Sequence, residues 1–475
     1  NDIKILAPGG ESNFKSVKVN DGVIISTRKL AAGETDHETG LSGGNSGNIY
    51  IAAPDITIGE GAKLLANAIN EGTPYTAGDV KLEALLNAGS GFLDVVYISD
   101  HPKTNITIGS NSVIKGKDIT LTAKSDCTQE YNPPVPPDGA PDPSAGWLDT
   151  GVGELKDIID GLPDKVTGAL KGVSIVAGVT ISRATSMISL NADSLIEGQS
   201  FEALSASYVN AATKPTAIGA GVAVAIGASD AQVILKGKIV TAGNCNVNSL
   251  ADNTVKVVGS STGIKGLSAG VAVSILTSKS NVEAESTADF QVGGNLNLEA
   301  KTVDRNYTLA SSALEEDGKV GIAVAVSNED GETTAYLGGN ADVAGNINVN
   351  ALMSKDVLTD TTFFGLIPSV KSGVNAIAGV NTNPNATVAT DAQKALMEKI
   401  KGPLMEKIKG MIKSKSNNAQ NKSDDKVSSF ELAAAVAIYS DTNKATARIS
   451  DSATVKSRGN IIINAKAESQ PSLLS

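Results

Sequence analysis

A seven-residue phrase constrains this chain most. It begins with Gly, then Asn or Asp, and continues with apolar and variable residues in alternation. It occurs as GNIYIAA at 47, GDVKLEA at 78, GNCNVNS at 243, GNLNLEA at 294, GNINVNA at 345 and GNIIINA at 459, with a looser copy, GKDITLTA, at 116. The starts at 243, 294 and 345 are each 51 residues apart. Alternation of period two places successive side chains on opposite faces of a strand. In GNINVNA, Ile347, Val349 and Ala351 face one way and Asn346, Asn348 and Asn350 the other. One face is apolar and one polar, as in a strand that covers a core. The Gly–Asn opening predicts a corner with positive φ.

A second phrase lies upstream of the first. It reads AGVTISRATSMISL (177–190), AGVAVAIGASDAQVIL (220–235), AGVAVSILTSKSNVEA (269–284), VGIAVAVSNEDGETTA (320–335) and LAAAVAIYSDTNKATA (432–447). SGVNAIAGVNTNPNATVA (372–389) has the same character. The stretches NEDG, SDTN and NTNPN predict turns that divide these segments into strand pairs. In 220–228, Ala223 and Ala225 alternate with Val222 and Val224, so one face is small and flat. Such a face admits another layer at close range, either inserted helices or a neighbouring molecule.

A unit of about fifty residues cannot bury its apolar face alone, and stacked copies bury it on one another. With about twenty to twenty-five residues per coil, one unit spans two coils. The predicted fold is all-β: a right-handed parallel β-solenoid (β-helix) of degenerate units. The competing arrangement is a sandwich of hairpins. Composition agrees, with apolar residues at 41%, aromatics at 3% and 48 glycines, so the core must be aliphatic.

Two segments interrupt the pattern and divide the chain into 1–126, 127–171, 172–388, 389–428 and 429–475. In the first interruption, prolines from Pro133 to Pro143 exclude regular structure. Leu155, Ile158, Ile159, Leu162, Val166 and Leu170 then fall at helical spacing. The second interruption repeats LMEKIKG at 396 and 404 around Pro403. Ile400, Leu404 and Ile408 lie on one side, and Lys399, Lys401, Lys407 and Lys409 lie opposite or on its flanks. This basic amphipathic pair is a candidate docking element for a partner, a headgroup surface or an acidic glycan. The plainer expectation is an insert packed on the solenoid wall.

The net charge of −11 disfavours a general nucleic-acid binder, which needs a cationic face. No apolar run reaches the roughly twenty residues of a membrane helix. NDIKILAPGG reads as strand from the start, so a leader is expected to have been removed or to lie elsewhere in a longer protein. His37 and His101 lie in polar turn segments without an identifiable catalytic partner. The acidic groups LEEDG (314–318), NEDG (328–331) and SDD (423–425) read as turn chemistry. No phosphate, dinucleotide or calcium motif is present, so neither a cofactor nor a metal is expected. Cys245 takes the inward position held by Leu296, Ile347 and Ile461 in other copies and reads as a small buried hydrophobe. Cys127 is expected to begin the proline-rich loop, and a disulfide between the two is not expected.

The G-N-[IVL]-x-[IVL]-x-A strands and GIAVAV segments resemble the large secreted bacterial exoproteins and adhesins of the filamentous-haemagglutinin type. The resemblance covers the chain apart from 127–171 and 389–428. It implies a β-helix rod, an extracellular or cell-surface location, and adhesion or surface assembly on glycans, proteins or other copies. The amino-terminal secretion module of that family is not evident, and no catalytic residue carries over. A polysaccharide-active β-helix enzyme and a self-assembling filament or surface-layer subunit are the alternatives.

Overall fold

The computed structural model describes residues 2–6, 16–27, 46–67, 77–87, 92–93, 96–98, 101–131, 175–218, 220–263, 267–314, 320–356, 373–378, 432–468 and 473–474. These build three sheets whose strands stack in register.

The first sheet runs β1 (Ile3–Leu6), β4 (Ile49–Ala52), β7 (Val80–Asn87), β12 (Asp118–Tyr131), β15 (Ser200–Thr213), β19 (Cys245–Gly263), β22 (Leu296–Leu314), β25 (Ile347–Lys355) and β29 (Ile461–Ala467). The second runs β2 (Ser16–Val19), β5 (Asp55–Ile58), β10 (Lys103–Ile108), β13 (Ile175–Leu190), β17 (Ala220–Leu235), β20 (Leu267–Ala284), β23 (Val320–Leu337) and β27 (Leu432–Ile449). The third holds the short strands β3 (Ile24–Ser26), β6 (Lys63–Leu65), β11 (Val113–Lys115), β14 (Leu195–Gly198), β18 (Lys238–Thr241), β21 (Asp289–Val292), β24 (Asn340–Val343) and β28 (Val455–Ser457). Smaller pieces extend two of them: β8 (Phe92–Leu93) and β9 (Val96–Ile98) on the second, and β16 (Thr216–Ile218), β26 (Gly373–Ala378) and β30 (Leu473–Leu474) on the first. Apart from the antiparallel β8–β9 pair, the described pairings are parallel. The fold is a parallel β-solenoid.

All seven copies of the Gly–Asn phrase become strands of the first sheet. The fifty-residue unit, however, is one coil and not two. Cys245 pairs with Leu296, and Leu296 with Ile347, so a step of 51 residues is a step to the adjacent rung. The unit is long because its strands are long: β19 and β22 have 19 residues and β20 and β23 have 18. NEDG and SDTN are therefore not turns. They lie inside β23 and β27, where Asn328 to Gly331 pair in register with Ser440 to Asn443. Likewise β26, within 372–389, does not join the second sheet; it pairs with the outer part of β22 and continues the first. Cys127 lies in β12, not in a loop. The proline-rich segment from 132 to 171, the predicted helices there and those of 389–428 lie outside the described residues.

Inward residues form aliphatic columns. In the first sheet the column is Ile49, Val80, Ile119, Phe201, Cys245, Leu296 and Ile347, all buried. Matching columns from the other two sheets close a three-sided core. Beyond this prism the long strands of the first and second sheets face each other and enclose a second core of small residues. It includes Ala223, Ala225, Val255, Val257, Ala272 and Ala310. The flat alanine face is thus covered by the chain's own first sheet rather than by helices or a neighbouring molecule.

The corner before each first-sheet strand explains the Gly–Asn pair. The Asn295 amide donates to Asn244 Oδ1 (2.9 Å), that of Asn346 to Asn295 Oδ1 (2.8 Å) and that of Asn460 to Asn346 Oδ1 (2.8 Å). The same ladder links Asp2, Asn48, Asp79 and Asp118. The glycine is needed for space and not for positive φ, which among the described glycines occurs only at Gly22, Gly61 and Gly373. A Cβ on Gly294 would lie 2.4 Å from Asn244 Oδ1 and 2.7 Å from the Gly243 carbonyl carbon.

Candidate functional site

The docking residues expected from the sequence, Lys399, Ile400, Lys401, Leu404, Lys407, Ile408 and Lys409, lie outside the described residues. His37 does too. His101 stands just before β10, and its Nε2 lies 2.8 Å from Thr185 Oγ1. Partial burial, with Lys103 and Arg183 nearby, lowers its pKa against the opposing pull of Asp230. Its imidazole is therefore neutral at pH 7.

The chemistry that sequence reading missed lies inside. Between the two apolar cores runs a seam of buried polar side chains contributed by both sheets. Thr104 meets Ser125 (3.0 Å), Ser186 meets Ser207 (2.9 Å), Ser249 meets Ser280 (2.6 Å) and Thr333 meets Thr302 (2.6 Å). Period-two alternation alone places these residues inward; only the pairing of the sheets shows that these eight hydroxyls meet in pairs.

Toward the last coils the seam becomes charged. Asn253, Asp304 and Lys355 stand on successive rungs of the first sheet. Glu329 and Asp441 stand on successive rungs of the second, facing them. The Lys355 ammonium contacts Glu329 Oε2 and lies 3.1 Å from Asp441 Oδ1. Glu329 Oε1 accepts from Asn306 Nδ2 (2.9 Å), and its Oε2 accepts from the Tyr439 hydroxyl (3.2 Å). Asp441 Oδ2 accepts from Asn443 Nδ2 (2.7 Å). Asp304 Oδ1 accepts from the Ser278 hydroxyl, which also receives Asn253 Nδ2 at 2.7 Å.

Three carboxylates thus surround one lysine, with Asp304 and Glu329 buried and Lys355 and Asp441 largely withdrawn from solvent. Burial pushes Asp304 up to about 7, reinforced by Glu329 and Asp441 and opposed by Lys355 and Ser278. Burial alone would lower Lys355, but the charges of Glu329, Asp304 and Asp441 outweigh it and raise the ammonium's pKa. Burial, then the charges of Glu329 and Asp441, raises Tyr439, which stays a protonated donor. No group of three or more potential metal ligands occurs among the described residues.

The outer surface carries regular arrays. Asn297 Nδ2 donates to Asn246 Oδ1 (2.7 Å) and Asn348 Nδ2 to Asn297 Oδ1 (2.6 Å), forming an asparagine ladder on the first sheet. Arg305 spans Asp252 (2.5 Å) and Asp356 (3.2 Å) on neighbouring rungs. On the third sheet an open groove is lined by Asp289, Gln291, Asp342, Lys456 and Arg458. No helix among the described residues is long and apolar enough to cross a membrane.

No protein-family model, no curated protein and no solved structure matches this chain.

Proposed function

We propose that the chain is a non-enzymatic segment of an extracellular or bacterial surface protein of the filamentous-haemagglutinin type, serving adhesion or surface and matrix assembly as a β-solenoid rod. The observation that carries this reading is the repetition of outward polar groups at one register across successive coils. Asn246, Asn297 and Asn348 stand one strand spacing apart, about 4.8 Å. Lys236–Glu285 and Lys238–Asp289 set two charge pairs side by side across one pair of neighbouring coils. A stiff array of equivalent groups favours multivalent contact, in which many weak bonds add without new chemistry. Asp304, Glu329 and Asp441 converge inside the seam, closed to a polysaccharide. The partners that fit are surface glycans, surface proteins or other copies of the chain.

The test is retention of the purified, labelled chain on immobilised glycans, matrix proteins and whole cells, with and without residues 389–428. Saturable, salt-sensitive retention is expected; loss of it on deletion would assign the docking role to the amphipathic segment. Release of oligosaccharides from an acidic polysaccharide, or no retention on any surface, would overturn the reading.

A further inference from the structure

The charged end of the seam brings an amine and two carboxyl groups together where little of them meets solvent. We infer that Lys355 and Asp441 form an intramolecular isopeptide bond, with Glu329 carrying the protons. The geometry assigns each role. Lys355 Nζ lies 3.1 Å from Asp441 Oδ1 and touches Glu329 Oε2. All three side chains are largely withdrawn from solvent, at 8%, 12% and 3% exposure. Glu329 is held on both oxygens, by Asn306 and by Tyr439, which fits a fixed proton carrier. Asp441 has one oxygen against the amine and the other on Asn443 Nδ2, a donor placed where negative charge develops.

The bond-forming sequence balances without any outside reagent. The Lys355 ammonium gives a proton to Glu329, and the neutral amine attacks Asp441 Cγ. The C–N bond forms as charge moves to Oδ2, facing Asn443. Two protons in all pass from Nζ through Glu329 to Oδ1, the C–Oδ1 bond breaks, and one water leaves. The remaining N–H belongs to the new amide, and Glu329 ends as it began. Holding the partners in contact replaces a bimolecular encounter, which is where most of the barrier reduction originates. The link would join the end of β25 to the middle of β27, across the two sheets and across a separation of 86 residues. It would tie the last coil to its neighbour more firmly than the ladder of hydrogen bonds does.

Mass spectrometry of the denatured chain decides the matter. The expected mass is lower than that of the sequence by one water, and peptide mapping is expected to find the peptides bearing Lys355 and Asp441 joined. Lys355→Arg and Glu329→Gln are expected to show full mass while keeping the β-sheet circular dichroism of the parent. A parent chain of full mass overturns the proposal, as does a water lost at another pair. A Glu329→Gln chain that still loses water overturns the role given to Glu329.

Discussion

Replacing Asp304 by Asn should stabilise this protein at pH 8 and leave it little changed at pH 4. Asp304 is buried between Asn253 and Lys355, and the Ser278 hydroxyl donates to its Oδ1. Its pKa is pushed up to about 7 in the folded chain, against an ordinary value near 3.9 in the unfolded one. The difference is roughly three pH units at about 1.4 kcal/mol each, so ionisation opposes folding by about 4 kcal/mol. The sign follows from which state holds the proton. Below about pH 4 both states are protonated and the contribution to stability is complete. Between about 4 and 7 the unfolded chain releases its proton while the folded chain keeps it, and stability falls as pH rises. Above about 7 both are ionised and no further loss occurs. Asn keeps an acceptor for Ser278 and has no charge to bury, so the variant lacks this slope. An isopeptide bond at Lys355 would remove a nearby positive charge and push Asp304 further in the same direction. Urea unfolding of both chains from pH 4 to 8, taken as the difference between them, cancels carboxylates common to both. Amide exchange in β22 and β25 reports the same region locally. A difference that stays flat with pH, or an Asn variant less stable at pH 8, would refute the reasoning.

Three further outcomes are expected. Gly294→Ala should destabilise by about 1–3 kcal/mol in chemical denaturation, and Gly294→Asn should be no better than Ala, because the corner is crowded rather than left-handed; an advantage for Asn would restore the turn explanation. Asn295→Ala should cost about 0.5–1.5 kcal/mol and speed hydrogen exchange at the Asn346 amide, which loses its acceptor; unchanged exchange there would deny the ladder a role. The Cys245 thiol, buried and with its pKa raised by burial, should resist an aromatic disulfide reagent at pH 8 until the chain unfolds; prompt stoichiometric labelling under native conditions would contradict its inward position.

The local rule was legible in the residues themselves. Alternation marked Ile347, Val349 and Leu296 as inward, and the structure buries them. It also marked Cys245 as their equivalent. One strand of the same sheet, β15, escaped notice because Gln199 and Ser200 replace the usual Asn before Phe201. The recurrence at 51 residues established stacking but not what one step contained. A period-two pattern has no length of its own, so NEDG and SDTN looked like turns although they continue a strand. Their alternate residues Glu329, Asp441 and Asn443 face inward at the seam while Asn328, Asp330, Ser440 and Thr442 face out, and no window of sequence shows that Glu329 and Asp441 lie opposite Asp304 and Lys355. Those meetings depend on register between strands far apart in the chain, which hydrogen-bonded rungs set collectively. The sequence by itself therefore determined that this chain stacks parallel strands and which side chains point inward. The tertiary structure alone decided that one unit makes one coil, that two cores flank a polar seam, and that burial brings a lysine and three acids together, because these follow from which distant strands become neighbours.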